Sequence, residues 1–455
     1  MARILLVSSN VTEEPMPVYP LGLAMVAAAL AAEGHQVEQF DFLVAGLSLE
    51  RLRARIRAFE PGYVGISIRN LDDCDSLTRT SYPALAEQLT EVVRETPGIR
   101  VILGGAGFSI MPEALLALTG ADHGVVGEGE RGMCGLIRQL EAGRRPPPLV
   151  REAGLLAGAD LLAPRYSAEL VAFYRERSGM INLQTKRGCT EHCIYCNYPQ
   201  LEGCRLRPAE PRAVVDTMER AQREHQADAF FITDAIFNDK EGHYLAVVDE
   251  LLRRDLGLSW YCYMRPQGLD RGTVALMVRA GLRAVELGTD AASDTTLAAL
   301  GKGLTFAEVL AATAACAAEQ LPCAHFVMFG GPGETPATVT EGLANLERLD
   351  RSVVFAFSGI RILPGTPLQA LAIRDGIISR ETPLLEPAYY FAPGLDAEAM
   401  NQNISHAFRH RRDRVFPPEE GRRRHQTLSR MGHKGLLWDT LLRPTPMNRT
   451  LHAQP

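Results

Sequence analysis

Arg187-Gly188-Cys189-Thr190-Glu191-His192-Cys193-Ile194-Tyr195-Cys196-Asn197 places three thiols within eight residues, spaced C-x3-C-x2-C, just after the run Met180-Ile181-Asn182-Leu183. Such close spacing suits one loop wrapped around one metal centre, because all three sulfurs can point to a common side. A four-iron cluster is normally held by four thiolates. Three would leave one iron with an open coordination position, the mark of a reactive metal site. The alternative on this loop alone is a structural zinc site completed by Cys204 or His192, since C-x2-C pairs are common zinc ligands. A disulfide framework does not suit a chain of this length, whose nine cysteines come without a secretory context.

At 455 residues the chain exceeds the size at which one core keeps growing, so two or three domains are expected. Hydrophobic residues make up 46% and charged residues 22%, an ordinary globular balance. A net charge of −6 argues against nucleic acid as the main partner. Met1-Ala2-Arg3 runs straight into a strand-like segment without a signal-peptide pattern. No uninterrupted apolar segment reaches the roughly 18 residues a membrane span needs. The expectation is a cytoplasmic protein, where free thiols and an oxygen-sensitive cluster are kept reduced.

Upstream of the thiols, residues 1–145 alternate strand-like runs with helical patterns. Ile4–Val7 precedes Leu21–Ala32; Gln36–Leu43 precedes Leu49–Phe59; Tyr63–Ile68 precedes Tyr82–Glu95; Val101–Leu103 precedes Pro112–Leu118; Val125-Val126 precedes Gly132–Ala142. Five such pairs predict an α/β domain with a doubly wound five-stranded parallel sheet. Ligands of such sheets bind beyond the carboxyl ends of the strands, at the topological switch point. The segments that follow the strands include a glycine-rich Gly104-Gly105-Ala106-Gly107-Phe108 and Gly127-Glu128-Gly129-Glu130. A dinucleotide would want G-x-G-x-x-G after the first strand, where Ser8-Ser9-Asn10-Val11-Thr12-Glu13 stands, so that ligand does not fit.

Arg144-Arg145-Pro146-Pro147-Pro148 is a boundary signal, and residues 146–180 are expected to form a linker. Residues 181–375 then repeat strand and helix patterns, with strands at Ile181–Leu183, Ala229–Thr233, Leu258–Met264, Ala284–Leu287, His325–Phe329 and Val353–Ile362. Six units predict a partial (β/α)6 barrel, with function at the C-terminal ends of its strands. Residues 376–455 are expected to be a small, mostly helical tail. Leu385–Phe391 has the pattern of a strand or cap closing the open side of the barrel, and the basic runs His406–Arg414 and Gly421–His425 read as solvated helix faces. From about Pro444 periodicity is absent. Cys74, Cys134, Cys262, Cys316 and Cys323 read as packing thiols.

The cysteine loop resembles the cluster motif of the radical S-adenosylmethionine (SAM) superfamily, and the strand ends of the barrel carry further matches. Thr233-Asp234-Ala235-Ile236-Phe237-Asn238 resembles the segment that contacts the SAM amino group. Glu286-Leu287-Gly288-Thr289-Asp290 makes Glu286 and Asp290 candidate cofactor contacts, Asp290 standing near a position where the family often has a ribose-binding Glu. Gly330-Gly331-Pro332-Gly333-Glu334 resembles the glycine motif beside the adenine, Tyr195 the aromatic position whose backbone touches adenine, and the run from Arg361 one seen in the cobalamin-linked branch. Taken alone, each glycine motif is a turn; their order after successive strands carries the likeness. The first domain resembles the cobalamin-binding domain fused ahead of many such barrels. That likeness makes Tyr19, Arg69, Asn70, Gly104, Gly105, Gly107, Phe108, Gly127, Glu128, Gly129 and Glu130 candidate cobalamin contacts. The D-x-H-x-x-G of histidine-ligating cobalamin domains is missing, since no His precedes His35. A protein imidazole below the cobalt is therefore not expected, and Arg69 is the candidate to lie there without coordinating. Arg265 is a candidate contact to cobalamin or substrate, or else a rim salt bridge.

The resemblance implies three cofactors: a 4Fe-4S cluster on Cys189, Cys193 and Cys196, S-adenosyl-L-methionine, and cobalamin as methylcobalamin. It implies a methyltransferase in which the reduced cluster cleaves SAM, the resulting radical activates an unactivated carbon, and methylcobalamin supplies the methyl group. The substrate would be a small molecule, lipid or natural-product intermediate, and the electron donor a flavodoxin or ferredoxin. Ring closure or sulfur insertion by the same cofactors, and a non-catalytic cobalamin or iron-sulfur sensor, are the alternatives.

Overall fold

In a computed structural model that describes residues 1–13, 16–152, 154–436 and 441–442, two parallel sheets meet through the carboxyl ends of their strands. The stretch from about Pro444 lies outside the described residues. The first sheet holds β1 (Arg3–Ser8), β2 (Gln36–Asp41), β3 (Tyr63–Ser67), β4 (Arg100–Gly104), β5 (His123–Val126) and β6 (Leu149–Arg151), in the order β2-β1-β3-β4-β5-β6. It has six strands where five were expected. The extra one comes from the proline-flanked linker, where Leu149, Val150 and Arg151 extend alongside Gly124, Val125 and Val126. The order reverses between β1 and β3, so the segments after Ser8 and Ser67 flank the switch point.

The helix Leu21–Ala32 is apolar nearly all round, as an element buried on two sides must be. Leu23, Ala27 and Leu30 pack on the first sheet, while Ala24 and the preceding Tyr19 join the core of the second unit. Parts of the expected linker are likewise structured. The helix Ala168–Arg177 buries Leu170, Val171 and Tyr174 in that same core.

The second unit begins with β7 (Ile181–Leu183) and a small hairpin of β8 (Lys186–Arg187) and β9 (Arg207–Pro208). It continues through β10 (Ala229–Ile232), β11 (Ser259–Met264), β12 (Leu282–Asp290), β13 (Cys323–Phe329) and β14 (Ser352–Ser358). The order β7-β10-β11-β12-β13-β14, all parallel and with helices between, is the expected partial barrel. The last expected strand divides at Gly359. β15 (Ile360–Arg361) turns away and pairs antiparallel with β16 (Tyr389–Tyr390), a two-stranded sheet formed within the segment expected to be a strand or cap.

The tail does more than expected. β17 (Arg414–Val415) adds a seventh strand beside β14. Arg414, assigned by its basic neighbours to a solvated face, is wholly buried and donates to the carbonyls of Ser352, Leu346 and Leu349 at 3.0, 2.9 and 2.9 Å. The helix Pro418–Arg430 covers β14, and its Arg422 reaches Asp75 of the first unit at 3.3 Å.

Candidate active site between two cofactor domains

The cysteine loop hangs from the β8–β9 hairpin. Gly188 turns the chain with φ of +92°, and a Cβ there would stand 2.0 Å from the Arg205 carbonyl, so only glycine fits. The amide of Cys189 then donates to Gly203 O at 3.1 Å, and that of Ile194 to Leu300 O at 3.0 Å. The Tyr195 hydroxyl donates to Asp290 at 2.6 Å, and Lys302 forms an ion pair with the same carboxylate. The loop is thus tied to the end of β12 before any ligand enters.

Cys189 is buried, and Cys193 and Cys196 are half-buried. Burial pushes all three thiols up, Cys196 to about 12, and the charge of each would raise the next. Lys302 opposes that rise at Cys189 and Cys193. Among the described residues no three His, Cys, Asp or Glu side chains gather as they would around a single ion. A four-iron cluster takes one thiolate per iron, which spreads its ligands more widely than a single ion does, and the three free thiols of this one loop supply that donor set. His192 and Cys204 are exposed, with the Cys204 sulfur 4.0 Å from the Pro199 carbonyl, so neither completes a zinc site.

The sequence candidates divide sharply by what surrounds them. Asp234, expected to meet the SAM amino group, is 1% exposed and already saturated. Thr185 donates to it from its amide at 2.7 Å and its hydroxyl at 2.5 Å, and the ammonium of the equally buried Lys186 lies 3.1 Å away. Phe237 is core, and Asn238 clamps the next loop by accepting from Arg265 N and donating to Arg265 O, both at 2.9 Å. Glu334 closes its own turn on Thr338 at 2.6 Å and Gly330 N at 3.3 Å. The glycines Gly330, Gly331 and Gly333 do stand at the end of β13, beside Phe391, Ile360 and Ala299.

In the first unit several corrections share one cause: the candidate side chains dock the two units together. Glu130 and Glu128 bind Arg187 at 2.5 and 3.1 Å, and Glu128 also binds Arg207 at 2.6 Å. Arg361 pairs with Asp72 at 2.7 Å and donates to Leu384 O at 2.7 Å, all buried. Tyr19 is enclosed by Tyr166 and Tyr174, its amide donating to Asn182 at 2.9 Å. Phe108 is core beneath Gly124. A Cβ on Gly105 or Gly107 would strike Ile68 O at 2.5 Å or Asn70 C at 2.9 Å, so these glycines seat the chain on its own neighbouring loop. A Cβ on Gly129 would meet Val26 at 2.8 Å.

Other candidates face open space. Gly127 has nothing within 4 Å of a Cβ, and Gly104 nothing nearer than 3.8 Å. Arg69 and Asn70 are exposed beyond β3, at the switch point; the Arg69 carbonyl accepts from Gly107 N at 3.0 Å, while its guanidinium makes no hydrogen bond or ion pair among the described residues. Burial raises the phenols of Tyr174, Tyr198 and Tyr263, and the Arg69 charge works weakly against that rise at all three. Tyr198 and Tyr263 keep 39% and 41% of their surface accessible, yet burial pushes both phenols up. Accessible phenols that burial nonetheless raises lie in a recess rather than on a convex surface, and we refer to this recess as the chamber. The chamber lies between the switch point of the first sheet and the mouth of the barrel, where the helices Ala106–Ile110 and Tyr198–Glu202 pack together. The open glycines and the free Arg69, with no histidine before His35, fit a corrin held without a protein imidazole.

Residues 9–137 match the model of the B12 binding domain, and residues 183–343 that of the Radical SAM superfamily. The chain belongs to the cobalamin-binding radical SAM enzymes. Cobalamin, SAM and a 4Fe-4S cluster are accordingly the cofactors of this branch. The chain is 26% identical over 429 residues to the tryptophan 2-C-methyltransferase of Streptomyces laurentii, covering 76% of this chain and 71% of that one. It is 25% identical to the cytidylyl-2-hydroxyethylphosphonate methyltransferase of Streptomyces wedmorensis, covering 92% of each. The structure of the radical SAM methyltransferase TsrM from Kitasatospora setae, with cobalamin and a [4Fe-4S] cluster bound, superposes with a TM-score of 0.82. Identity there is 24%, over 97% of this chain and 98% of that one, so that likeness speaks for the fold.

Tyr198, Tyr263 and Lys302 were missed by sequence reading in this cobalamin-binding radical SAM enzyme. Tyr198 sits one position past the quoted loop and Lys302 in Gly301-Lys302-Gly303, so proximity to the cysteines and a cation between glycines were the available signals. Arg265 resolves as the rim salt bridge, pairing with Glu191 of the cysteine loop.

Proposed function

We propose that the protein is a cobalamin-dependent radical SAM methyltransferase that methylates carbon in a small-molecule substrate. We place it in the cytoplasm, with a flavodoxin or ferredoxin as electron donor. Among the described residues no helix is long and apolar enough to cross a membrane. The observation that carries the reading is that Arg69, beyond the carboxyl end of β3, acts electrostatically on Tyr198 and Tyr263 of the second unit, which we read as one chamber shared by both units. When bound there, the cluster with SAM supplies radical chemistry and cobalamin a transferable methyl group.

The chain's own residues then have defined tasks. Cys189, Cys193 and Cys196 would hold the cluster, and the tether of Tyr195 and Lys302 to Asp290 fixes the loop against β12. Arg69, exposed beyond β3, would stand beside bound cobalamin as a cation that offers no lone pair. Tyr198 and Tyr263 exclude bulk water from the chamber, which strengthens every electrostatic contact inside it. The ion pairs at Arg187 and Arg361 keep the two walls in register.

The test needs no knowledge of the substrate. Full-length protein, reconstituted anaerobically with iron and sulfide, is given cob(I)alamin and SAM deuterated in its methyl group. The expected product is deuteromethyl-cobalamin, formed faster than in a protein-free control. Failure of label to reach cobalamin would remove the methyltransferase reading and leave ring closure or sensing.

A further inference from the structure

Behind the candidate site, a buried chain of two hydroxyls and one histidine braces the end of β12. His325 on β13 is wholly buried, between Thr289 of β12 and Thr313 of the helix Phe306–Ala318. Its Nε2 lies 3.2 Å from the Thr313 oxygen and its Nδ1 2.8 Å from the Thr289 oxygen. The order of protons follows from the far end. Thr313 donates its one hydroxyl proton to Val309 O at 2.7 Å, so toward His325 it can only accept. Nε2 therefore carries the ring proton, and Nδ1 accepts from the Thr289 hydroxyl. Burial, with the nearby Arg414 charge, pushes the imidazole down to about 3, so the ring is neutral at physiological pH.

The backbone that Thr289 anchors is irregular. Leu287 lies opposite His325 and Asp290 opposite Val327, so β12 advances three residues while β13 advances two. Such a bulge bends the strand and re-aims a side chain. Asp290 then has φ of +63°, and the Ala291 amide donates back to Thr289 O at 2.8 Å, closing a γ-turn of the rare positive-φ kind. Strain of this sort persists only where the surroundings over-determine it. What the turn presents is the Asp290 carboxylate, which receives the Tyr195 hydroxyl at 2.6 Å and the Lys302 ammonium. Its charge acts on Cys193 and Cys196 of the cysteine loop.

We propose that Thr289 and His325 are positioning residues for the cluster: through the γ-turn they aim Asp290 at Tyr195 and Lys302, and so hold the cysteine loop in its ligating shape. A core histidine that supports the fold alone would act on stability without acting through Asp290, and that difference is measurable. The inference rests on the cluster assignment within the proposed function. Iron release reads it whether or not a methyl group reaches cobalamin, so the two failures are distinguishable.

Full-length protein is reconstituted anaerobically with iron and sulfide, reduced with dithionite and mixed with excess bathophenanthroline, and formation of the coloured ferrous complex is timed. Thr289→Val keeps the branched shape and removes the donor. It is expected to release iron about fivefold faster than wild type, less than the roughly 10–100-fold cost of removing a direct partner of a metal ligand. Thr289→Ser keeps the hydroxyl and should stay within about twofold of wild type. Asp290→Gly accepts the positive φ and removes the carboxylate. In that background Thr289→Val should add less than about twofold, because the residue it acts through is gone. The same fivefold in both backgrounds would overturn the proposal, as would a Thr289→Val rate equal to wild type. If Thr289→Val does not fold, Thr313→Val, which takes the acceptor from Nε2 at the other end of the chain, is read in the same cycle with the same outcomes.

Discussion

Replacing Cys189 by alanine is expected to leave the protein folded, unable to hold the cluster, and without SAM-dependent activity. Each iron of a four-iron centre that is not bound by SAM takes its own thiolate, so two remaining cysteines cannot hold it. Loss of a residue that only supports a metal ligand costs about 10–100-fold, and loss of a ligand itself should cost at least about a hundredfold in 5′-deoxyadenosine formation. No substitute stands nearby. Cys204 is exposed with its sulfur against the Pro199 carbonyl, and Cys262, Cys316 and Cys323 are buried in the barrel core. The backbone around Cys189 is fixed by bonds that do not involve its sulfur, among them Cys189 N to Gly203 O and Gly188 N to Glu202. The fold should therefore survive. Iron content and the visible absorption of the anaerobically reconstituted variant are the measurements, with Cys204→Ala as the control that should retain both. A Cys189→Ala protein with full iron would contradict the assignment.

Arg187→Met is expected to be the most destabilising single change between the two units. The guanidinium is buried, binds Glu130 at 2.5 Å and Glu128 at 3.1 Å, and also donates to Gln184 at 3.1 Å. Methionine fills much of the volume but leaves Glu130 buried without its cation. Glu128 fares better because Arg207 still holds it. Breaking a buried pair by removing one member costs about 3–5 kcal/mol, a large part of a typical stability of roughly 5–15 kcal/mol. The midpoint of denaturant unfolding should fall accordingly, and a shift corresponding to less than about 1 kcal/mol would contradict the buried-clasp reading. The effect has a defined pH dependence. Burial by itself would push Glu128 up, but the Arg207 hydrogen bond, the Leu156 amide and the Arg187 charge together hold it below the usual range. A carboxylate so depressed adds stability above its unfolded value, about 4.3, and the gain is lost as pH falls through its folded value. The clasp should loosen in acid and stay intact at neutral pH.

These two residues also mark what could be read in the sequence and what could not. The C-x3-C-x2-C loop, the alternation of strands and helices and the glycine turns depend on local spacing, and each was found where spacing put it. The extra strands Leu149–Arg151 and Arg414–Val415 were not legible, because runs of two or three residues have no periodicity and pair only through a sheet built elsewhere. The cofactor contacts were the least legible. Asp234 and Glu286 are both acidic residues near strand ends, yet Thr185 and Lys186 saturate one while, among the described residues, nothing bonds the carboxyl of the other. Glu128, Glu130 and Arg361 are claimed by partners dozens to hundreds of positions away. Whether a carboxylate is free to bind a ligand is a property of its donors, and those donors are distant in the chain.

The central claim is that the cobalamin and cluster sites face one another across a single chamber. Pulsed electron paramagnetic resonance on full-length protein carrying both cob(II)alamin and the reduced cluster tests it directly. The account predicts dipolar coupling between the two spins, lost in Cys189→Ala. Two superposed, uncoupled spectra from a fully loaded protein would contradict it.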